Sequence, residues 1–330
     1  MSEFTAGTRP AEPDFAAITT GELLAYREAE NRFRASGAAR AFLGEPDPGA
    51  AIDWQEIALP GRDLPVRVYR PAPTGDEEAA ASPTGDEEAA APAGLPLVVH
   101  VHGGSFVGTA VQCDWTNSRL AARLPALVVS VEHRLLTPDS PLANAADDGW
   151  DVFDHVVRHA ARWGVDPARV AVFGESCGAL ISALTAIRAR EADLELTAQV
   201  LVNPAVDVTG TMFDYPSVAE YADSPTLALP QLRLFQRLAA SSAAEARAVS
   251  PLYADDLSGL APALVVVPTQ DPAADHGRRY AERLRTAGTS VRLTEYPGAK
   301  HAFLTLPGVE PQAEAARAEI LAFLRTALAK

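Results

Sequence analysis

One serine lies in a setting that suits nucleophilic chemistry. An apolar run at 170–173 leads into Gly174-Glu175-Ser176-Cys177-Gly178, and a helix-forming run rich in Ala, Leu and Ile follows to about Arg190. The pattern predicts a strand, a sharp turn with Ser176 at its apex, and a helix. The glycines let the strand and helix backbones approach closely, so the serine hydroxyl is pushed out above the sheet. The backbone N–H of Cys177 begins the helix and can point at a developing oxyanion.

The pentapeptide matches G-x-S-x-G, the nucleophile elbow of α/β-hydrolases. A serine hydroxyl is a poor nucleophile at neutral pH, so it needs a general base, and that base needs an orienting group. In α/β-hydrolases the chain order is Ser, then Asp or Glu, then His, so both partners should follow Ser176. The alternative for this serine is a helix-capping role in a turn of small residues.

Two histidines follow Ser176, and their surroundings differ. His301 comes just after the last predicted strand, at the edge of a parallel sheet where functional groups are usually presented. His276 is predicted to begin a helix, so we expect it to be a surface or capping residue. We therefore predict His301 as the general base.

Two aspartates compete for the orienting role. Asp271 directly follows the strand predicted at 263–269, whereas Asp275 lies four residues further on. We favour Asp271 because it is nearer the strand end. The alternative for both is to cap the helix that follows, which aspartate does well.

The oxyanion needs further donors, and a glycine pair offers them. The strand predicted at 95–102 ends in His102-Gly103-Gly104-Ser105, and glycines after a strand let backbone N–H groups approach a ligand. We predict Gly103, Gly104 and Cys177 as the oxyanion hole. His102 is expected to hold this loop by hydrogen bonds and not to act as a base.

Strand-like and helix-like runs alternate through most of the chain. Runs at 52–59 and 64–69 flank a Pro-Gly turn signal and predict an antiparallel hairpin. The remaining strand-like runs are nearly continuous in Val, Leu and Ile, which is typical of buried parallel strands: 95–102, 126–131, 170–174, 198–203, 263–269 and 291–296. The alternation predicts an α/β fold, with a mostly parallel sheet covered by helices on both faces.

Two segments do not follow this alternation of strands and helices. A helix predicted from Thr20 to about Phe42, with Glu22 in its first turn, is either packed on the core or a mobile lid. Later in the chain, an irregular stretch at 211–224 and a helical stretch predicted at 229–246 suggest an inserted cap. We expect four parts: an N-terminal part of the cap at 1–48, core at 49–205, the cap insertion at 206–247, and core at 248–330.

Charge and cysteine content narrow the class of protein. The 330 residues carry a net charge of −15, which argues against a nucleic-acid partner because phosphates need a basic face. Two cysteines, Cys113 and Cys177, cannot form a disulfide framework, and there is no C-x-x-C motif, so a cytoplasmic location is expected. We expect neither a signal peptide at 1–15 nor a membrane span.

A ten-residue acidic unit is duplicated at 73–82 and 83–92, apart from its last position. It contains no large apolar side chain to bury, so we expect a disordered, solvated loop at 73–92 with no catalytic part. A partner-binding role for this loop is the alternative.

Taken in order, five motifs resemble the hormone-sensitive lipase-like (bacterial type IV) carboxylesterases of the α/β-hydrolase superfamily. They are His102-Gly103-Gly104-Ser105, Glu132-His133-Arg134-Leu135, Gly174-Glu175-Ser176-Cys177-Gly178, Asp271-Pro272, and Pro297-Gly298-Ala299-Lys300-His301-Ala302-Phe303. The resemblance implies an α/β-hydrolase core with a helical cap, short-chain ester hydrolysis without a cofactor or metal, and the triad Ser176, Asp271 and His301. It also suggests a homodimer.

The sequence departs from the family pattern at four places. Ser105 stands for the last glycine of H-G-G-G, Cys177 for the alanine after the nucleophile, Ala302 for the glycine of H-G-F, and Glu132-His133-Arg134 for D-Y-R. We predict a serine hydrolase that acts on a small-molecule ester through an acyl-enzyme. Two alternatives stay open: a lyase or acyltransferase using the same pocket, and a non-catalytic binding protein on this fold.

Overall fold

The structure is a computed structural model that describes residues 8–73 and 94–329. Nearly all of the duplicated acidic segment lies outside the described residues, so the disorder expected for it stays a prediction. Across the part of the chain that is described, the structure contains no helix with both the length and the apolar character needed to cross a membrane.

Eight strands form one sheet in the order β1-β2-β4-β3-β5-β6-β7-β8. β1 and β2 form the expected antiparallel hairpin, β2 also runs antiparallel to β4, and every other neighbouring pair is parallel, so the predicted mostly parallel sheet is confirmed. The strands are β1 (Ala50–Leu59), β2 (Arg62–Pro71), β3 (Leu95–Val101), β4 (Leu127–Val131), β5 (Val165–Glu175), β6 (Ala198–Val202), β7 (Ala263–Gln270) and β8 (Val291–Lys300).

Helices cover both faces of this sheet, as the alternating pattern predicts. On β3, Leu97 and Val99 pack in the same core cluster as Phe153 of α4, whereas Val98 packs with Leu120 of α3 and Ile320 of α11. Successive strand residues point to opposite faces, so both faces need a helical cover. The helices are α1 (Thr20–Arg34), α2 (Arg40–Leu43), α3 (Asp114–Arg123), α4 (Leu142–Arg158), α5 (Ala160–Trp163), α6 (Cys177–Glu191), α7 (Pro216–Glu220), α8 (Leu229–Ala239), α9 (Ala243–Ala248), α10 (Ala274–Thr286) and α11 (Ala313–Ala327).

Two predicted helices are shorter than expected, for local reasons. The N-terminal helix begins with a capping box between Thr19 and Glu22 but ends at Arg34, where the chain turns through a 3₁₀ segment, Gly37–Ala39, before α2. The helical stretch predicted at 229–246 is split into α8 and α9. The hydroxyl of Ser242 accepts from the backbone N–H of Glu245 and starts a new helix there.

Candidate active site

Ser176 lies at the apex of a strained turn between β5 and α6. Its backbone has φ 56° and ψ −119°, an uncommon region for a residue with a side chain, and its N–H donates to the carbonyl of Val202 at 2.9 Å. A Cβ on Gly174 would come within 2.2 Å of the carbonyl oxygen of Gly178. A Cβ on Gly178 would come within 2.1 Å of the carbonyl oxygen of Val101. The two glycines therefore permit the close backbone approach that the sequence predicts.

Replacing Gly178 with alanine is expected to destabilise the protein by about 3 kcal/mol or more, because the new methyl group meets backbone that cannot move aside. That corresponds to a fall of several degrees in thermal midpoint. Gly21→Ala is the matched control, since a Cβ there meets nothing within 4 Å. Equal midpoints for the two variants, measured by differential scanning calorimetry, would contradict the tight packing of the elbow.

A continuous row of hydrogen bonds joins the three predicted triad residues. The Oγ of Ser176 lies 2.8 Å from Nε2 of His301, and Nδ1 of His301 lies 2.8 Å from Oδ2 of Asp271. Asp271 is fully buried, and its Oδ1 accepts a hydrogen bond from the N–H of Ala273 at 2.8 Å. Each triad residue directly follows a strand, β5, β7 or β8, so the parallel sheet brings the three side chains to one edge.

Asp275 and His276, the alternatives for the carboxylate and the base, make other contacts than the row joining Ser176, His301 and Asp271. Asp275 is in the first turn of α10, where it accepts from the N–H of Ser217 at 3.0 Å and pairs with Arg278 at 3.0 Å. His276 is fully buried, so the expectation of a surface or capping residue is wrong. The helix starts earlier than predicted, at Ala274, and this places His276 on its inward face. Burial lowers the pKa of His276 to about 4, so its neutral ring accepts the N–H of Asp207 at 3.3 Å.

The glycine loop after β3 lies against Ser176. A Cβ on Gly103 would come 3.3 Å from the Cβ of Ser176, and Gly104 has φ +89°, a conformation that favours glycine. His102 is fully buried, and its Nδ1 lies 2.9 Å from the carbonyl oxygen of Gly103. Burial lowers the pKa of His102 well below its usual value, so the ring is neutral and holds the loop as expected.

Cys177 follows Ser176, at the first position of α6. Its N–H has no acceptor within the helix, because the first N–H groups of any helix lack one. Burial raises the pKa of the Cys177 thiol to about 12, so the side chain stays protonated. The backbone of Cys177 is thus available as a hydrogen-bond donor, while its thiol is a small buried group.

Sequence reasoning missed Asn203, which lies beside His301. It follows β6 at the same edge of the sheet, is buried, and has φ 37°. Its Nδ2 lies 3.5 Å from Nε2 of His301. The signal was an amide directly after a buried strand, the same positional argument that selects Asp271 and His301.

A buried polar cluster lies beneath the elbow. The ligand-type atoms of His100, Cys113 and Glu175 are within 4.8 Å of one another. The thiol of Cys113 donates to Oε1 of Glu175 at 3.6 Å, and the hydroxyl of Thr305 donates to Oε2 at 3.1 Å. These bonds hold the side chain that precedes Ser176, and we interpret the cluster as a hydrogen-bond network and not as a metal centre.

Ser176 and His301 open into a cavity of about 440 Å³. Its walls are largely aromatic and aliphatic and come from the N-terminal residues with α1, from the glycine loop, and from α8. The aromatic lining residues are Phe15, Tyr26, Phe33, Phe42, Phe106 and Phe235. A cavity of this size and character fits a small, mostly apolar molecule.

Comparisons with known proteins agree with this geometry. A family model described as the alpha/beta hydrolase fold matches residues 98–305. The carboxylesterase NlhH of Mycobacterium tuberculosis is 35% identical over 292 residues, which cover 85% of this chain and 84% of that protein. The ethyl acetate hydrolase of Pseudomonas putida is 30% identical over 293 residues, covering 87% of this chain and 86% of that protein.

Among solved structures, a hyperthermophilic esterase from the archaeon Pyrobaculum calidifontis superposes with a TM-score of 0.79 at 30% sequence identity. The match covers 92% of this chain and 93% of that chain. The fold, the order of the motifs and the relatives of nearly equal length all indicate the same family. The chain therefore belongs to the alpha/beta hydrolase fold family, within its hormone-sensitive lipase-like branch.

Proposed function

We propose that this protein is a serine carboxylesterase that hydrolyses small carboxylic esters through an acyl-enzyme. One observation carries the proposal: the row of 2.8 Å contacts from Ser176 through His301 to Asp271, at the floor of an apolar cavity. A nucleophile, a base and an orienting carboxylate in this order form the machinery for acyl transfer.

The reaction follows from these three side chains. Ser176 Oγ attacks the ester carbonyl carbon while Nε2 of His301 takes the hydroxyl proton. The tetrahedral intermediate collapses as His301 returns that proton to the leaving alcohol, and the acyl group stays on Ser176. Water then attacks the acyl-enzyme with His301 again as base, which releases the carboxylic acid and restores Ser176. Asp271 holds the imidazole in one tautomer and stabilises the imidazolium.

We assign the oxyanion hole to the backbone N–H groups of Gly103, Gly104 and Cys177. The glycine loop lies against Ser176, and Cys177 begins a helix, whose N-terminal end favours negative charge. Donors that are already fixed in place stabilise the developing oxyanion without reorganisation, which is often the largest single catalytic effect in such sites.

We infer that residues 1–48 and 206–247 act together as the cap over the α/β core formed by 49–205 and 248–330. The support is that α1 and α8, one from each cap segment, both line the cavity, whereas all eight strands lie in the two core segments. The small cavity and a relative named ethyl acetate hydrolase favour a short acyl group. The cytoplasmic location, the homodimer and the lack of a cofactor remain predictions from the sequence.

The test is a screen of purified protein against aryl esters of graded acyl length, with identification of both products. We expect acid and alcohol in equal amounts, with the highest kcat/KM for short acyl groups. Transfer of the acyl group to an added alcohol, without free acid, would support the acyltransferase alternative. An ethyl ester is included to detect elimination, because free acid together with an alkene in place of the alcohol would support a lyase. Binding without turnover of any ester would support the non-catalytic alternative.

A further inference from the structure

We propose that Gln112, oriented by Arg34 of α1, is a positioning residue for the oxyanion donor Gly104 N–H. The cap helix would then set the geometry of the oxyanion hole as well as cover the cavity. This inference rests on the proposed function, and it concerns a residue that contacts the loop and not the reacting atoms.

A single peptide unit joins the carbonyl of Gly103 to the N–H of Gly104. The carbonyl of Gly103 and the N–H of Gly104 belong to the same planar trans peptide, so they point in opposite directions. Nε2 of Gln112 donates to the carbonyl oxygen of Gly103 at 3.1 Å, beside the contact from Nδ1 of His102 at 2.9 Å. Fixing the carbonyl end of this peptide also fixes the direction of the Gly104 N–H. Glycine at φ +89° cannot supply that restraint by itself.

Arg34 fixes the orientation of the Gln112 amide. An amide can present either its oxygen or its nitrogen to Gly103, and only the nitrogen can donate. Nη1 of Arg34 donates to Oε1 of Gln112 at 2.5 Å, and the N–H of Thr109 donates to the same oxygen at 3.4 Å. A guanidinium has no acceptor, so Arg34 forces Oε1 towards itself and Nε2 towards Gly103. Gln112 is buried, and this leaves it little freedom to turn.

Glu30 holds the guanidinium of Arg34 in place. Its Nε donates at 3.0 Å to Oε1 of Glu30, one turn earlier on α1. Glu30 is buried with only 2% of its surface exposed, and it also pairs with Arg9 at 3.3 Å. Hydrogen bonds between a buried carboxylate and charged donors are strong, so Glu30 restrains the plane of the Arg34 guanidinium.

Two other residues of α1, Arg27 and Asn31, bind the loop after β3 directly. Nε of Arg27 donates to the carbonyl oxygen of Phe106 at 2.7 Å, and Nδ2 of Asn31 donates to that of Gly108 at 2.8 Å. Positions 27, 31 and 34 are spaced four and three residues apart, so they lie on one face of a helix. These contacts favour the packed helix over the mobile lid as the interpretation of α1.

The test compares variants on the two sides of the Gln112 amide. Gln112→Leu removes both bonds at similar size, and Gln112→Glu keeps the pairing with Arg34 but offers no donor to Gly103. Arg34→Met removes the restraint on the amide, whereas Arg34→Lys can still donate to Oε1. The matched control is Arg32→Ala on the same helix, because Arg32 is exposed and pairs with the exposed Glu28.

We expect kcat on a short aryl ester to fall roughly 10- to 100-fold in Gln112→Leu, Gln112→Glu and Arg34→Met, because a misaimed donor stabilises the transition state poorly. KM should stay within about threefold, since ground-state binding does not use the oxyanion donors fully. Affinity for a trifluoromethyl ketone, which forms a tetrahedral adduct on Ser176, should fall in parallel with kcat. Arg34→Lys should recover most of the loss.

The outcomes separate this inference from the proposed function. Wild-type protein that neither hydrolyses esters nor binds the trifluoromethyl ketone would overturn both. An active wild type with kcat in Gln112→Leu and Gln112→Glu within twofold of Arg32→Ala would overturn the positioning role alone. A change confined to KM, with ketone affinity unaltered, would also overturn it, because Gln112 would then act only through its place in the cavity wall. Circular dichroism and the thermal midpoint of each variant establish that the compared proteins are folded.

Discussion

Ser176→Ala is expected to lower kcat for ester hydrolysis by on the order of 10⁶, with the fold retained. The hydroxyl is the nucleophile in the proposed reaction. Within residues 8–73 and 94–329, the other side chain at hydrogen-bond distance of Nε2 of His301 is the amide of Asn203, a very poor nucleophile. The neighbouring thiol of Cys177 does not substitute, because burial keeps its pKa near 12. The measurement is the rate of aryl ester hydrolysis under saturating substrate, with the thermal midpoint recorded for both proteins.

The matched control for this substitution is Ser290→Ala. Ser290 is exposed in the turn between α10 and β8, so the same change of side chain there should leave kcat unaltered. Mass spectrometry after treatment with a fluorophosphonate gives an independent readout, since wild type and control should gain one adduct at Ser176. Activity of Ser176→Ala within tenfold of the parent would refute the nucleophile assignment.

The placement of Ser176, Asp271 and His301 after strand ends could be predicted because each position depends on local sequence. A buried strand in this fold is a run of consecutive apolar residues; its predicted carboxyl end is one position short for β5 and β7 and four positions short for β8. Ser176, Asp271 and His301 each come at such an end, and parallel strands bring their ends to one edge. The glycines of the elbow add a steric requirement that few other residues could meet.

The partners of the glycine loop after β3 could not be predicted in the same way. Gln112 and Arg34 meet across 78 positions of sequence, and neither position has a pattern that distinguishes it from other polar side chains on a helix or turn. His276 shows the related problem at short range. A difference of two residues in the start of α10 turns its side chain from solvent to the interior, and helix ends are the least certain feature of a sequence-based prediction.

The departures from the family motifs are accommodated by contacts that only the structure shows. Oε2 of Glu132 accepts from the N–H of Ala110 at 2.7 Å, at the start of the 3₁₀ segment Ala110–Cys113. The ring of His133 stacks on that of His102 at 4.3 Å, and Arg134 pairs with buried Asp148. Ala302 adopts φ 59°, a conformation in which glycine is more usual. These substitutions therefore change the surroundings of the triad while its hydrogen bonds remain.

Asp271→Asn is expected to lower kcat by roughly 10⁴ with little change in KM. The reason lies in the second contact of the carboxylate. Oδ1 of Asp271 accepts the N–H of Ala273, so the oxygen of an asparagine would stay there and its NH₂ group would face Nδ1 of His301. Two donors cannot share that position, and the imidazole would move its proton to Nε2. Nε2 could then no longer accept the proton of Ser176.

Asp275→Asn is the matched comparison, four residues away. Asp275 accepts the N–H of Ser217 and pairs with Arg278, and an asparagine oxygen can keep the first contact. Loss of a partly exposed ion pair costs at most about 1 kcal/mol, so kcat should stay within a few-fold of the parent. Both variants should be assayed from pH 6 to 9 on the same ester. If Asp275→Asn loses activity and Asp271→Asn does not, Asp275 is the orienting carboxylate. If neither loses activity, His301 needs no carboxylate partner, and the assignment of a triad is wrong.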